Sequence, residues 1–236
     1  MKRFWIFCAS LVFCVAAATT VSAQDDGFVS IFNGKDLTGW SGDPRLWTVE
    51  DGAIVGTTDA DAKKITQNTS LFYTEDQNIG DFAIKFDYKI TKGGNSGLYY
   101  RGWFLDGPEN WRMGGYQGDF DGDKNYAGIM YGEALRGILA NLGTVSRVDK
   151  DGKIREVARF ATPEEIRANV KLEDWNSYEI VAQGYVFVHK IIGKVTSVFV
   201  DEDSDKVRRP SGVLGWQLHV GPPMRVEVKN IYLKKL

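Results

Sequence analysis

Two carboxylates, an arginine and a histidine are the groups of this chain best suited to chemistry: Asp119, Glu133, Arg101 and His219. The first three fall in one stretch, Asn95 to Gly137. It reads NSGLYYRG, then an aromatic loop with Trp103 and Trp111, then GGYQGDFDGDKNYAGIMYGEALRG. Side chains alternate between the two faces of a strand. By that parity Tyr99 shares a face with Arg101, Gln117 with Asp119, and Tyr131 with Glu133. His219 shares parity with Gln217, opposite Trp216 and Leu218, so both polar residues look onto the working face if the apolar pair faces the core. Glycines at 97, 114, 115, 118, 128, 132 and 137 keep these runs slim, as strands are where they bulge, bend or let a ligand approach.

Each group has a chemical reading and a plainer one. Glu133 is the first candidate for a general base; otherwise it is a solvated carboxylate or one paired with Arg136. Asp119 is a candidate acid, an acceptor for a sugar hydroxyl or, with Asp121, a ligand for a divalent cation; otherwise it caps the following turn. Arg101 would donate to a substrate oxygen, pair with Asp119 or Glu133, or do both. His219 is a candidate acid, base or ligand, whereas His189, alternating with Phe187 and Tyr185, reads as structural. Gln117, Tyr131, Arg136 and Gln217 are candidate substrate contacts. Trp103, Trp111 and Tyr116 could stack on the C–H side of a pyranose or simply pack their loop, and at least one of the three is expected to reach the site.

Two acidic runs, Asp119-Asp121-Asp123 and Asp201-Asp203-Asp205, lack the glycine and glutamate of an EF-hand loop. The first leaves room for an irregular cation site, and the second reads as an exposed turn. No metalloprotease helix, phosphate loop, dinucleotide fingerprint or serine-hydrolase elbow is present.

The elements that must position these groups are strands. Phe82, Ile84, Phe86, Tyr88 and Ile90 alternate strictly with Ala83, Lys85, Asp87 and Lys89, which predicts a long strand with one buried face. Asn33-Gly34, Asp51-Gly52 and Asp151-Gly152 are hairpin dipeptides, the last between Thr144–Val148 and Ile154–Phe160. Thr162-Pro163-Glu164-Glu165 predicts a helix start with a capping box, and one short helix running to about Val170. Further strands are expected over 177–182, 185–191, 195–200, 212–220 and 224–233. In the last, apolar parity inverts after Val228, which predicts a bulge near Lys229-Asn230.

Size and composition fit this all-β reading. The chain has 236 residues, 43% of them hydrophobic, enough for one large β domain over residues 24–236, and a net charge of -2 argues against a nucleic-acid surface. Lys2 and Arg3, the apolar run Trp5–Ala18 and the small residues Val21-Ser22-Ala23 read as an export leader over residues 1–23, cleaved near Ala23. The mature protein is then expected in the periplasm or outside the cell. Cys8 and Cys14 both lie in that leader, so a mature chain would have no thiol chemistry. No later segment approaches the length of a membrane span.

The segments IFNGKDLTGW, WTVEDGAIVG, DFAIKFDYKI, GGNSGLYYRG, GGYQGDFDGD, YAGIMYGE, WNSYEIVAQG and GWQLHVGPPMRVEVKNIYLKKL occur in an order that resembles a known family. It is the 3-keto-disaccharide hydrolase family, whose domain is also described as a 3-keto-glucoside lyase and 3-keto-glucal hydratase. The resemblance implies a concanavalin A-like jelly roll of two antiparallel sheets, often exported, acting on oxidised sugars. The chain departs from the family pattern at His189-Lys190-Ile191-Ile192-Gly193, where a polar Asn usually precedes the glycine. A ketone at C3 of a glucoside acidifies the C2 proton, so a base can remove it and the enolate can expel the C1 substituent. That chemistry needs a base, a donor for the enolate oxygen and an acid for the leaving group. A non-catalytic glycan-binding module on the same fold is the alternative.

Overall fold

The computed structural model describes residues 26–58 and 63–236. The expected leader, its cleavage point and both cysteines lie outside the described residues. In chain order the strands are β1 (Val29–Ser30), β2 (Trp40–Ser41), β3 (Trp47–Glu50), β4 (Ala53–Thr57), β5 (Thr69–Tyr73), β6 (Phe82–Ile90), β7 (Asn95–Phe104), β8 (Met113–Asp121) and β9 (Met130–Glu133). They continue as β10 (Gly137–Ala140), β11 (Thr144–Val148), β12 (Ile154–Arg159), β13 (Asn176–Gln183), β14 (Val186–Ile191), β15 (Lys194–Asp201), β16 (Val213–Leu218) and β17 (Arg225–Lys235). One short α-helix, α1 (Pro163–Arg167), interrupts them.

These strands build two packed sheets, the jelly-roll sandwich expected. One runs β12-β11-β15-β14-β13-β6-β17-β4-β3, with β1 added against β17; the other runs β10-β9-β8-β7-β16-β5-β2. Described ladders are antiparallel except β11 beside β15, a parallel pair. The alternation of β6 buries Phe82, Ile84, Phe86, Tyr88 and Ile90 between the sheets. They meet Leu98, Tyr100, Tyr116, Phe120 and Trp216 of the facing sheet, with Tyr88 stacked 4.1 Å from Phe120 and Phe86 edge-on to Trp216 at 4.8 Å. Because these large residues take the inward parity, the opposite parity of β7, β8 and β16 is free to carry polar groups on the outer face of the seven-stranded sheet.

Local chemistry sets the connections. Asp51 and Gly52 both take positive φ in the turn joining β3 to β4, as a primed hairpin turn requires. Asn33-Gly34 makes no hairpin: Asn33 caps its own turn by accepting from the backbone N–H of Lys35 and Asp36, and β1 and β2 pair with strands of different sheets. Helix α1 has the predicted capping box between Thr162 and Glu165 but ends at Arg167. The predicted bulge in β17 is present, with Asn230 at φ 52° where the register with β6 shifts.

Among the described residues no helix is long and apolar enough to cross a membrane.

Candidate active site

A hollow of about 420 Å³ opens on the outer face of the seven-stranded sheet, a size suited to a small ligand, for which sites of roughly 300–1,000 Å³ are usual. Parity builds its floor. Gln117 and Asp119 project from β8, Tyr131 and Glu133 from β9, and Gln217 and His219 from β16 and the residue just beyond it, and all six line the hollow. Between Gln217 and Asp119 the floor strand carries Gly97, which leaves space for Gln117 to lie over it. A Cβ there would sit 2.6 Å from Gln117 Nε2.

The sheet is curved enough to bring its rims together. Strands β9 and β5 are separated by β8, β7 and β16, yet Asn68 Nδ2, just before β5, donates to Glu133 Oε2 at 3.5 Å. Asn68 is itself held, because its Oδ1 accepts from the Val220 backbone N–H at 2.9 Å. Glu133 Oε2 also accepts from the Tyr99 hydroxyl at 3.4 Å. No lysine or arginine lines the hollow among the described residues.

That lack of cations decides the protonation of Asp119. Burial first, and then the neighbouring Asp121 carboxylate, push its carboxyl well above the usual carboxylate range, against a 3.2 Å hydrogen bond from Asn95 Nδ2. A carboxyl raised in this way favours its protonated form, which can donate. The Tyr131 and Tyr99 hydroxyls are pushed up as well, first by burial and then by the Glu133 charge, so both keep their protons. His219 Nδ1 lies 2.6 Å from the Val220 carbonyl, which can only accept, so this nitrogen carries a proton and Nε2 is the free one.

Two atoms of the floor have no partner. Gln117 Nε2 and Gln217 Oε1 are buried without a hydrogen bond, although both side chains are only 1% exposed. An unmatched buried donor or acceptor costs roughly 1–3 kcal/mol, so both atoms call for a partner.

Four expected contacts lie elsewhere. Arg101 sits where the β7–β8 register shifts, at φ 47°, and the bulge turns its side chain away from Tyr99. It is 1% exposed, donates to the carbonyls of Gly80, Gly184 and Arg209, and pairs with Asp81 at 2.8 Å. It touches neither Asp119 nor Glu133. Arg136 pairs with Asp203 and donates to the Gly152 carbonyl, so Glu133 is not its partner. Trp103 lies under the Arg209 guanidinium, 4.4 Å from it, and lines no part of the hollow. Asp121 spends both oxygens on the backbone N–H groups of Asn125 and Tyr126, capping a turn. Among the described residues no three His, Asp or Glu side chains are placed to hold a metal ion.

Other assignments are revised as well. Trp111 packs beside Phe104 over a small apolar cluster and Tyr116 is buried against Phe187, so neither reaches the hollow. The aromatic that does, besides Tyr131, is Tyr126 at the rim, in the loop after β8. The run Asp201-Asp203-Asp205 is not an exposed turn: Asp201 and Asp203 are buried, bound to Tyr116 and Arg136, and only Asp205 is outside, on Arg208. His189 is structural, as read: buried between Tyr100, Tyr178 and the Ile129 carbonyl, it is pushed down to about 4 by burial.

Sequence reasoning missed Asn68 and Asn95, which sit before and at the start of strands where alternation does not say which way a side chain faces. Asn95 opens the run NSGLYYRG; the only signal for either is an amide beside a strand of the site.

The chain resembles proteins of carbohydrate chemistry. A 3-keto-disaccharide hydrolase from Bacteroides thetaiotaomicron is 35% identical over 82 residues, which cover 32% of this chain and 27% of that relative. A candidate glycosyl hydrolase from Parabacteroides distasonis superposes with a TM-score of 0.56 at 24% identity, over 89% of this chain and 94% of its own. A carbohydrate-binding module from Bacillus subtilis does so with a TM-score of 0.53 at 13% identity, over 85% and 98%. At such identities the two structures speak for the sandwich fold alone. The family model of the 3-keto-alpha-glucoside-1,2-lyase-like domain matches residues 27–234, nearly the whole of the described chain, and the protein belongs to that family.

Proposed function

We propose that this is an exported enzyme that cleaves 3-keto-glucosides or 3-keto-disaccharides by elimination followed by hydration, a net hydrolysis. Export rests on the leader read over Met1–Ala23. The observation that carries the chemistry is the meeting, in one hollow lined by no lysine or arginine, of Glu133 with Asp119, whose buried carboxyl is pushed up.

Glu133 takes the C2 proton as general base, held in place by Asn68 and Tyr99. Negative charge moves to the C3 oxygen. With no arginine or lysine at hand, neutral donors must meet it: the Asp119 carboxyl and Gln117 Nε2, neighbours on one face of β8. A carboxylic acid kept protonated by its surroundings is an established way to stabilise an enolate. The electron pair returns to form the C1=C2 bond as the C1–O bond breaks, and His219 at the rim, in its imidazolium form with Nδ1–H kept on the Val220 carbonyl, passes the Nε2 proton to the departing oxygen. The proton on Glu133 exchanges with solvent; water then adds across C1=C2, its hydroxyl to C1 and its remaining proton back to His219, while Glu133 delivers its exchanged proton to C2, giving 3-keto-glucose. Tyr126 and Ile138 border the opening, where the aglycone leaves.

The test is release of the aglycone from a 3-keto-glucoside by the wild type and by Glu133→Gln. The reading requires turnover that falls by about 10²–10⁴-fold in the variant with an unchanged unfolding midpoint, the usual range for a lost general base. Saturable binding of keto-sugar with no turnover in the wild type would make the chain a binding module instead.

A further inference from the structure

The hydrogen bonds behind Glu133 have a direction. A carboxylate only accepts, so Tyr99, lying 3.4 Å from Glu133 Oε2, must spend its proton there. The Tyr99 oxygen is then left to accept, and what donates to it is Gln217 Nε2. That fixes the amide: Gln217 turns its Oε1 away from Tyr99, and this is the buried acceptor found without a partner. Tyr99 is fully buried and its hydroxyl is pushed well above the usual tyrosine range by burial and by the Glu133 charge, so the proton that sets the direction is always present.

We infer that Gln217 is a specificity-determining residue whose Oε1 accepts a hydrogen bond from a sugar hydroxyl flanking the carbonyl, and that Tyr99 is the positioning residue that turns it there. The floor then presents a donor, Gln117 Nε2, and an acceptor, Gln217 Oε1, on either side of Gly97. That pair matches an α-hydroxy ketone, in which an acceptor oxygen sits beside a hydroxyl that can donate. Recognition is tied to the base: the charge on Glu133 that prepares it for proton removal also sets the atom that reads the substrate. A site built around a hydroxyl rejects the analogue lacking it more strongly than an apolar pocket rejects a change of size, because the buried acceptor is stranded.

This inference rests on the keto-sugar reading above, and its test is chosen to fail separately. Equilibrium binding of 3-keto-glucose is compared with that of its 2-deoxy and 4-deoxy analogues, so no turnover is needed. In the wild type one of the two analogues is expected to bind at least tenfold more weakly than 3-keto-glucose. In Gln217→Met that ratio collapses towards one, while the affinity for the deoxy analogue itself changes little. Tyr99→Phe, a conservative change that keeps the ring, frees the amide to turn and lowers the same ratio. Merely structural roles would lower the unfolding midpoint and leave the ratio intact in both variants, which overturns the inference. So would a wild type that binds all three sugars alike. A ratio that collapses in Gln217→Met but not in Tyr99→Phe overturns the positioning role of Tyr99.

Discussion

Two clusters of buried carboxylates in this molecule make opposite use of the same residue type. At the end of β15, Asp201 accepts from the Tyr116 hydroxyl and from the Asp203 backbone N–H, while Asp203 pairs with Arg136 and accepts from Ser204 N–H at 2.6 Å. In the hollow, Asp119 accepts from one neutral amide, Asn95, lies beside the Asp121 carboxylate and shares the hollow with Glu133, with no lysine or arginine lining it. A charged carboxylate buried without a cation is costly, and protonation relieves it. The first cluster has a cation, Arg136, for its partner and holds loops together. The second lines one hollow with two carboxyl groups, one of them pushed up, and two unpaired amide atoms.

Arg101 gives the largest effect on the structural side. Arg101→Met strips donors from three carbonyls and from the 39% exposed Asp81, and more than the roughly 1–3 kcal/mol of one stranded group should be lost in chemical denaturation. The fraction that stays folded should keep its kcat/KM. A folded but inactive variant would place Arg101 in the chemistry and erase the contrast.

Asp119→Asn should do the reverse. Turnover is expected to fall about 10²-fold, on the order of 2.7 kcal/mol of barrier. Stability should move the other way. The folded state keeps on Asp119 a proton that the unfolded chain releases above about pH 4, so this group makes the wild type less stable as pH rises from there through its raised folded value. The Asn variant loses that dependence and should unfold at a higher temperature at pH 7. A variant less stable at pH 7 than at pH 4 by as much as the wild type would mean that Asp119 is ionised.

Tyr116→Phe removes the donor to Asp201 and should cost about 1–3 kcal/mol in thermal or urea unfolding, with kcat and KM unchanged. The smallest effect belongs to Gly97→Ala. Its Cβ displaces Gln117 and should raise KM about tenfold, near 1.4 kcal/mol, while the unfolding midpoint barely moves. Equal KM values would show that Gln117 is a bystander.

Much of the frame could be read in the residues because its signals are local. Strict alternation marked Phe82–Ile90 to the residue, Asp51-Gly52 marked its hairpin, and the parity break at Lys229-Asn230 marked a bulge. The convergence of Asp119, Glu133, Gln117, Tyr131, Gln217 and His219 followed from parity too, because their strands run unbroken beneath the hollow. Arg101 failed for the converse reason. Parity carries only to the next bulge, and the one local sign of a bulge here is Gly102 within the strand run. The Asp201 and Asp203 partners, Tyr116 and Arg136, lie tens of residues away in the sequence, so nothing nearby told a buried acid from a solvated one. Asn68 meets Glu133 only because the sheet curves, and curvature is a property of the assembled strands.

The most direct test of the account follows hydrogen at C2. A 3-keto-glucoside with ordinary hydrogen at that carbon is turned over in D₂O, and the 3-keto-glucose formed is read by NMR before it exchanges on its own. Elimination by Glu133 and rehydration predict one solvent deuterium at C2 in every product molecule, with both label and product lost in Glu133→Gln. Product that keeps its original C2 proton would contradict the account, because the glycosidic bond would then have broken without Glu133 ever removing it.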